Sequence, residues 1–120
     1  MSSGLQQRDF IPLSDVSRAV EHFLNLPEKE CGNGLFNLGG EYATKIIEMA
    51  EIISESCLSV LNFKPEILCQ APQPNETSDH LHYCIDKIRS TGFKPTGNIT
   101  REIESTLLFC KNQFSNLAVD

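Results

Sequence analysis

The 120-residue sequence contains no tryptophan and no apolar run of the roughly 18 residues that a membrane-spanning helix requires. Its N-terminus also lacks the basic segment followed by an apolar one that marks a secretory signal. From these absences we predict no membrane partner and a cytoplasmic location.

Basic residues are also scarce. Lysine and arginine together number 10, against 16 aspartates and glutamates, and the formal net charge is −6. Proteins that bind nucleic acid hold phosphate groups mainly with clustered basic side chains, and the basic residues here are scattered. The sequence therefore predicts no nucleic-acid partner, and an anionic ligand would have to be bound by one or two local cations.

No two cysteines have the spacing of a C-x-x-C motif, although the chain has five of them. An odd number of widely spaced cysteines does not indicate a disulfide framework. We expect reduced thiols, mostly buried as small hydrophobic side chains. The five are Cys31, Cys57, Cys69, Cys84 and Cys110.

The composition that remains is typical of one folded unit, with 40% hydrophobic and 22% charged residues. A chain of this length buries about 65% of its unfolded surface, which is enough for one core. We therefore predict a single domain over residues 1–120.

Apolar residues at helical spacing predict four helices. The first is capped at Ser14 or Asp15 and ended by Pro27, and the second runs from about Thr44, its N-cap, to Ser56. A short helix covers 85–90, stopped by Gly92, and the last begins near Asn98 or Thr100 and ends near Phe114. The predicted buried faces are Val16, Ala19, Val20, Phe23 and Leu24; then Ile46, Ile47, Ala50, Ile53 and Cys57; then Ile99, Ile103, Thr106, Leu107, Cys110 and Phe114.

Two short strands are predicted on either side of the second helix, in "GLFNLGG" (34–40) and "PEILCQAP" (65–72). A helix between two strands indicates a βαβ unit with a right-handed crossover. The expected fold class is α/β, a small mixed domain of three to four helices with short parallel strands.

The sequence shows no catalytic constellation. It lacks a G-x-G-x-x-G loop and a G-x-S-x-G elbow, and Tyr42 and Lys45 are three residues apart rather than four. We therefore predict no catalytic residue in this chain.

Residues 80–84, "HLHYC", are the one group with metal-ligand side chains. If they are extended, His80, His82 and Cys84 share a face that could bind zinc with a fourth ligand from elsewhere. The alternative is a short edge strand whose polar side chains face water. Because closed zinc sites normally draw ligands from two separated pairs, the alternative is favoured and no metal site is predicted.

Arg8 precedes the first helix and is the best candidate for a ligand contact. A guanidinium can bind two phosphate oxygens at once, and a helix N-terminus favours an anion. The alternative interpretation is an ion pair between Arg8 and Asp15, or a nearby glutamate, that fixes the loop.

Three segments, "RDFIPLSDVSRAV", "GLFNLGGEYATKIIEMAEII" and "IDKIRSTGFKPTGNITREIESTL", resemble the C-terminal part of the extended short-chain dehydrogenase/reductase family. These are NAD-dependent epimerases and dehydratases that act on nucleotide sugars. The resemblance covers nearly the whole chain, in order. The matching residues are Arg8, Asp9, Phe10, Ile11, Asp15, Val16 and Ala19; then Phe36, Asn37, Leu38 and Gly39; then Lys87, Gly92, Phe93 and Pro95.

The resemblance implies a substrate-binding lobe alone, because the Rossmann domain with its glycine fingerprint and Tyr-x-x-x-Lys pair is absent from this chain. It implies NAD or NADP for the full-length parent and no cofactor here. We therefore expect an isolated chain that is inactive and binds a nucleotide sugar weakly or not at all. Surface-polysaccharide precursor synthesis is the implied pathway. The alternative is a free-standing small α/β binding or interaction module that has lost the enzymatic role.

Carried over to this chain, the resemblance assigns Arg8 to the nucleotide phosphates and Asn37 to the sugar nucleotide, although Asn37 could instead satisfy backbone groups in its turn. Where the family often has Arg-Pro-Gly, this chain has Gln73, Pro74 and Asn75, so a cation is lost unless His80 or His82 substitutes. The face that would pack on the missing lobe should be apolar, and we predict self-association.

Overall fold

The computed structural model describes residues 3–72 and 81–114, and the elements below are those of these two ranges. Five helices and one two-stranded sheet confirm the small mixed α/β class. In chain order they are β1 (Gln7–Asp9), α1 (Leu13–Asn25), α2 (Glu28–Cys31), β2 (Ala43–Lys45), α3 (Ile46–Leu61), α4 (Asp86–Ser90) and α5 (Ile99–Phe114).

The sheet differs from the predicted βαβ unit in both position and direction. β1 and β2 pair antiparallel, with Arg8 opposite Thr44, and residues 34–40 and 65–72 form no strand. A Cβ atom on Gly40 would collide with the Phe10 carbonyl. The backbone at Gly40 can therefore lie this close to the residue after β1 only because glycine has no side chain. The short apolar run in "GLFNLGG" therefore lies in a loop rather than a strand, and the prediction of parallel strands is wrong.

The helix boundaries lie close to the predicted ones, except that α3 continues to Leu61, beyond its predicted end at Ser56, and the caps differ. α1 begins directly after Pro12 without a side-chain cap, because proline's fixed φ suits the entry to a helix. Ser14 and Asp15 lie inside its first turn. α3 begins at Ile46, since Thr44 belongs to β2. Gly92 follows α4 with φ +94°, a backbone conformation that side chains other than glycine rarely adopt.

The buried core gathers around α1 and α4. Ala19, Ile85, Ile88 and Phe93 are buried together, and α3 packs against α5 elsewhere in the chain. Partly buried hydrophobic residues pack against the first cluster; they are Phe23, Phe36 and Leu38.

Several apolar side chains predicted to be buried are exposed. Their helical spacing was correctly recognised, but each predicted stripe is wider than the surface that neighbouring elements cover. The residues at the edge of each stripe therefore face solvent. These residues are Val20, Leu24, Ile46, Ile53, Thr106, Cys110 and Phe114.

The cysteines are free thiols, as predicted, but the expectation that most are buried is wrong. Cys57 alone among the five is buried, inside α3, whereas Cys69, Cys84 and Cys110 are exposed. Among the described residues, no helix is both long enough and apolar enough to span a bilayer.

Candidate functional site

The two strands form a ribbon whose faces carry different side chains. Side chains alternate between the faces of a strand, and directly paired residues share a face. Arg8 therefore lies on the same face as Thr44, whereas Gln7 and Asp9 point to the opposite face.

The Arg8 guanidinium lies at the outer edge of β1. Gln6 and Phe10 carry backbone hydrogen bonds to the β2 side, so the Gln7 carbonyl between them points away from β2. Arg8 donates one hydrogen bond to this carbonyl (2.8 Å) and one to the Gln6 side-chain oxygen (3.2 Å). Because the guanidinium is exposed and has more N–H groups than these two bonds use, donors remain for a ligand.

Within the described ranges no carboxylate pairs with Arg8, so the alternative interpretation, an ion pair with Asp15 or a nearby glutamate, finds no support there. Asp15 is buried and binds Arg18 instead (Nη1 to Oδ1, 2.6 Å). It also accepts hydrogen bonds from the backbone and hydroxyl of Thr96 and from the Gly97 amide. Burial alone would raise the pKa of Asp15, but these bonds outweigh it and lower the pKa below its usual value.

Asp9 fixes the bend at residues 40–42, directly before β2. Its carboxylate accepts hydrogen bonds from the backbone amides of Gly40 (2.7 Å) and Tyr42 (3.0 Å). The Tyr83 ring fills the place where Gly39 would carry a side chain, since a Cβ there would lie 2.6 Å from the ring. Sequence reasoning did not find this role for Asp9 or Tyr83. The signal was the adjacent glycine pair, which indicates a close approach of backbone to a neighbour.

Asn37 and residues 81–85 lie together on the Asp9 side of the ribbon. The Asn37 amide donates to the Cys84 carbonyl (3.4 Å), and the Leu81 amide donates to the Gln7 side-chain oxygen (2.9 Å). Asn37 thus satisfies a backbone group, as its alternative interpretation proposed, although that group lies in another segment. Its side-chain oxygen accepts no hydrogen bond from the residues that the structure describes.

Lys87 holds the loop that carries Asn37. Its ammonium group donates to the Asn33 side chain and to the Leu35 carbonyl (2.5 Å), and it lies 4.3 Å from the centre of the Phe36 ring. These three contacts fix residues 33–36 against α4.

The histidine candidates are only partly described. His82 is exposed and lies between Leu81 and Tyr83, beside the Asn37 contact, whereas His80 and residues 73–75 lie outside the described residues. The alternative interpretation was an edge strand with polar side chains facing water. Residues 81–85 form no strand, so that part is wrong, but residues 81–84 are exposed to water. In the described part of the chain, no group of three His, Cys, Asp or Glu side chains could hold a metal ion.

The structure therefore places Arg8 at the outer edge of β1, and Asn37 with His82 on the face that Asp9 shares. These residues are not joined by a hydrogen bond within the described ranges. A ligand that contacts Arg8 and Asn37 together would have to lie across the edge of the ribbon.

Comparison with known proteins identifies a partial similarity. Over 105 aligned residues the chain is 35% identical to the ADP-L-glycero-D-manno-heptose-6-epimerase of Pseudomonas paraeruginosa (strain DSM 24068 / PA7), and the alignment covers 77% of this chain. It covers 31% of the epimerase, so the chain spans about a third of the length of the curated relative it matches. No family model matches the chain, and no solved structure matches it significantly. The similarity supports the general epimerase family that the sequence motifs indicated.

Proposed function

We propose that this chain is the C-terminal nucleotide-sugar-binding portion of an NAD-dependent sugar-nucleotide epimerase or dehydratase. The partial similarity to a nucleotide-sugar epimerase, over about a third of that enzyme, is the observation that carries the proposal. The matching residues that carry the family resemblance fall within the described ranges, on β1, α1, α4 and the loops at 10–11, 36–39 and 92–95.

Arg8 is the proposed phosphate contact. Its guanidinium is exposed at a strand edge, and the two acceptors it meets, Gln7 and Gln6, are neutral. Because these acceptors are neutral, they do not offset the positive charge of the guanidinium, which stays available to attract an anion. The planar guanidinium can also donate two parallel hydrogen bonds to two phosphate oxygens. In a chain of net charge −6, such a local cation is what an anionic ligand requires.

Asn37 and His82 are the proposed contacts for the remainder of the ligand. The free oxygen of Asn37 can accept a hydrogen bond from a sugar hydroxyl, and the exposed His82 ring can donate or accept one. His80 completes the proposed set. Asp9, through the Gly40 amide, and Lys87, through the Leu35 carbonyl, hold the segment that carries Asn37 in place. Neither side chain is a proposed ligand contact.

Binding of a nucleotide diphosphate tests the assignment of Arg8. We expect ADP or UDP to bind weakly by calorimetry, and Arg8→Ala to abolish that binding by removing the only proposed phosphate contact. Arg101→Ala, which removes an exposed arginine on α5, should leave binding unchanged. Equal affinities of the wild-type and Arg8→Ala proteins would remove Arg8 from the site.

Catalysis should require the rest of the enzyme. A ligand in two-lobed enzymes of this class lies in a crevice between the lobes, with the cofactor on the Rossmann side. We therefore expect the purified 120-residue chain to show no binding of NAD and no hydride transfer with nucleotide-sugar substrates. Measurable reduction of NAD by the chain alone would contradict this. An upstream reading frame that encodes a glycine fingerprint and Tyr-x-x-x-Lys would support the parent enzyme.

A further inference from the structure

A groove with a volume of about 330 Å³ lies between α1 and the loop that follows α4. Residues 18, 21, 22 and 25 fall at helical spacing on α1 and form one wall, and residues 92–94 form the other. Side chains of both charge signs line the groove, since Arg18 and Lys94 are cations and Glu21 is an anion.

Arg18 is held in a defined orientation. Its Nη1 donates to the buried carboxylate of Asp15 (2.6 Å) and to the Lys94 carbonyl (3.2 Å). The guanidinium also lies over the Phe93 ring, 5.5 Å from its centre. These two bonds use both hydrogens of Nη1. The hydrogens of Nε and Nη2 form the edge of the guanidinium that can bind two carboxylate oxygens in parallel, and this edge meets no acceptor among the described residues.

Lys94 and Glu21 leave two opposite charges in the same groove. Asp15 already offsets the charge of Arg18, whereas Lys94 and Glu21 form no ion pair with each other or with any other residue of the ranges 3–72 and 81–114. A simple anion or a simple cation would be repelled by one of these charges. A ligand that carries both signs can be attracted by both.

The spacing of the charges limits the length of such a ligand. Arg18 and Glu21 are three residues apart on α1, so their Cβ atoms are neighbours at about 5–6 Å. The Lys94 carbonyl accepts from Arg18, which places this residue beside the guanidinium. Positive and negative groups this close together suit a zwitterion whose own carboxylate and ammonium lie on one carbon atom.

His22 and Asn25 add acceptors to the wall that carries Glu21. The Thr91 hydroxyl gives its one proton to the Ile88 carbonyl (2.6 Å), so His22 Nε2 is the donor in its contact with the Thr91 oxygen (2.8 Å). In the neutral ring Nδ1 is then an acceptor. Asn25 donates its amide to the Glu21 carbonyl (2.8 Å), which leaves its side-chain oxygen to accept. Such acceptors suit the N–H groups of an ammonium.

We propose that this groove binds a small zwitterion of the α-amino acid class. The ligand carboxylate accepts two hydrogen bonds from the Nε and Nη2 edge of Arg18 and is attracted by Lys94. The ligand ammonium pairs with Glu21 and donates to the Asn25 oxygen. The groove is at the small end of ligand pockets, which span about 300–1,000 Å³. It shares no residue with the proposed nucleotide contacts, so the proposal does not depend on the proposed function.

Titration of the unmodified chain with L-alanine, followed by NMR, tests the site. We expect a saturable shift of the Arg18 Nε–H signal. Propionate lacks the ammonium group and ethylamine lacks the carboxylate, so both should bind several-fold more weakly at equal ionic strength. γ-Aminobutyrate has both charges but holds them further apart, and it should also bind more weakly than alanine.

Variants identify the residues that recognise each end of the ligand. Glu21→Gln and Lys94→Gln should each weaken alanine binding about two- to fivefold, because each removes one exposed charge pair. Arg18→Lys keeps a cation for Asp15 but loses the planar edge, and it should weaken binding about tenfold or more. The matched controls are Glu28→Gln and Lys29→Gln on α2, which make the same changes in net charge and should retain wild-type affinity.

Three outcomes would overturn the proposal. The first is an Arg18 signal that does not shift saturably with alanine, a result that needs no variant. The second is propionate or ethylamine binding as tightly as alanine, which would identify a site for a simple anion or a simple cation. The third is an equal loss of affinity in the groove variants and in the α2 controls, which would show that net charge alone determines binding.

Discussion

Asp15 is a buried anion enclosed by donors from two distant parts of the chain. Arg18 approaches from the next turn of α1, whereas Thr96 and Gly97 approach from the segment that leads into α5. The carboxylate therefore joins the N-terminal turn of α1 to the start of the last helix. Its side chain contributes to the fold, while Arg8, seven residues earlier, pairs with no carboxylate of the described residues.

The replacement Asp15→Asn should destabilise the protein by about 2 kcal/mol, because an amide cannot accept all of these hydrogen bonds while buried. The pKa of Asp15 is lowered in the folded state, so the unfolded chain binds the proton more readily. The carboxylate's contribution is present above the unfolded pKa of about 4 and is lost as the pH falls through the lower folded value. Urea unfolding from pH 7 downward measures both effects.

The matched control is Glu21→Gln, an exposed acid-to-amide change on the same helix. It should change stability little at any pH. If the stability of Asp15→Asn falls with acid as steeply as that of the wild type, the lowered pKa of Asp15 does not contribute to acid unfolding.

At the scale of elements, helices were predictable from the sequence and strands were not. The stripe around Ala19 and the stops at Pro27 and Gly92 are local signals, and they placed α1 and α4 within a few residues. The ribbon depends instead on long-range contacts, above all on the hydrogen bond from the Gly40 amide to Asp9; the glycine pair indicates a close approach of the backbone but not which residue it approaches. Arg8 could be singled out by its chemistry, whereas its position at the outer edge of β1 required the pairing register.

The start of α3 gives a prediction at this scale. Glu48 accepts a hydrogen bond from the Thr44 hydroxyl and another from the Lys45 amide, and these bonds lower its pKa. Glu48→Ala leaves the backbone amide of Lys45, the N-cap residue of α3, without its acceptor and should lower the midpoint of urea unfolding without changing the slope. Glu51→Ala removes a carboxylate that forms no cap and should have a smaller effect. Equal midpoints for the two variants would show that the cap does not stabilise α3.

At the scale of the whole molecule, the exposed apolar side chains of α1 are the feature that bears on self-association. Leu13, Val20 and Leu24 lie on one stripe of α1, and Leu13 and Leu24 are 70% and 82% exposed. Their spacing of seven and four residues places them on one side of the helix, and these three residues form the α1 seam. No described element covers Leu13 or Leu24, so these side chains face water.

Self-association through this seam is the expected result, since burying large apolar side chains between two copies removes them from water. Light scattering across a wide concentration range should show a dimer or larger species. Leu13→Gln/Leu24→Gln should shift it toward the monomer, because the seam loses its two most exposed leucines. Leu68→Gln, which alters an exposed leucine outside α1, serves as the control. A monomer at every concentration would contradict self-association, and an equal shift in the control would show that the contact surface is not the α1 seam.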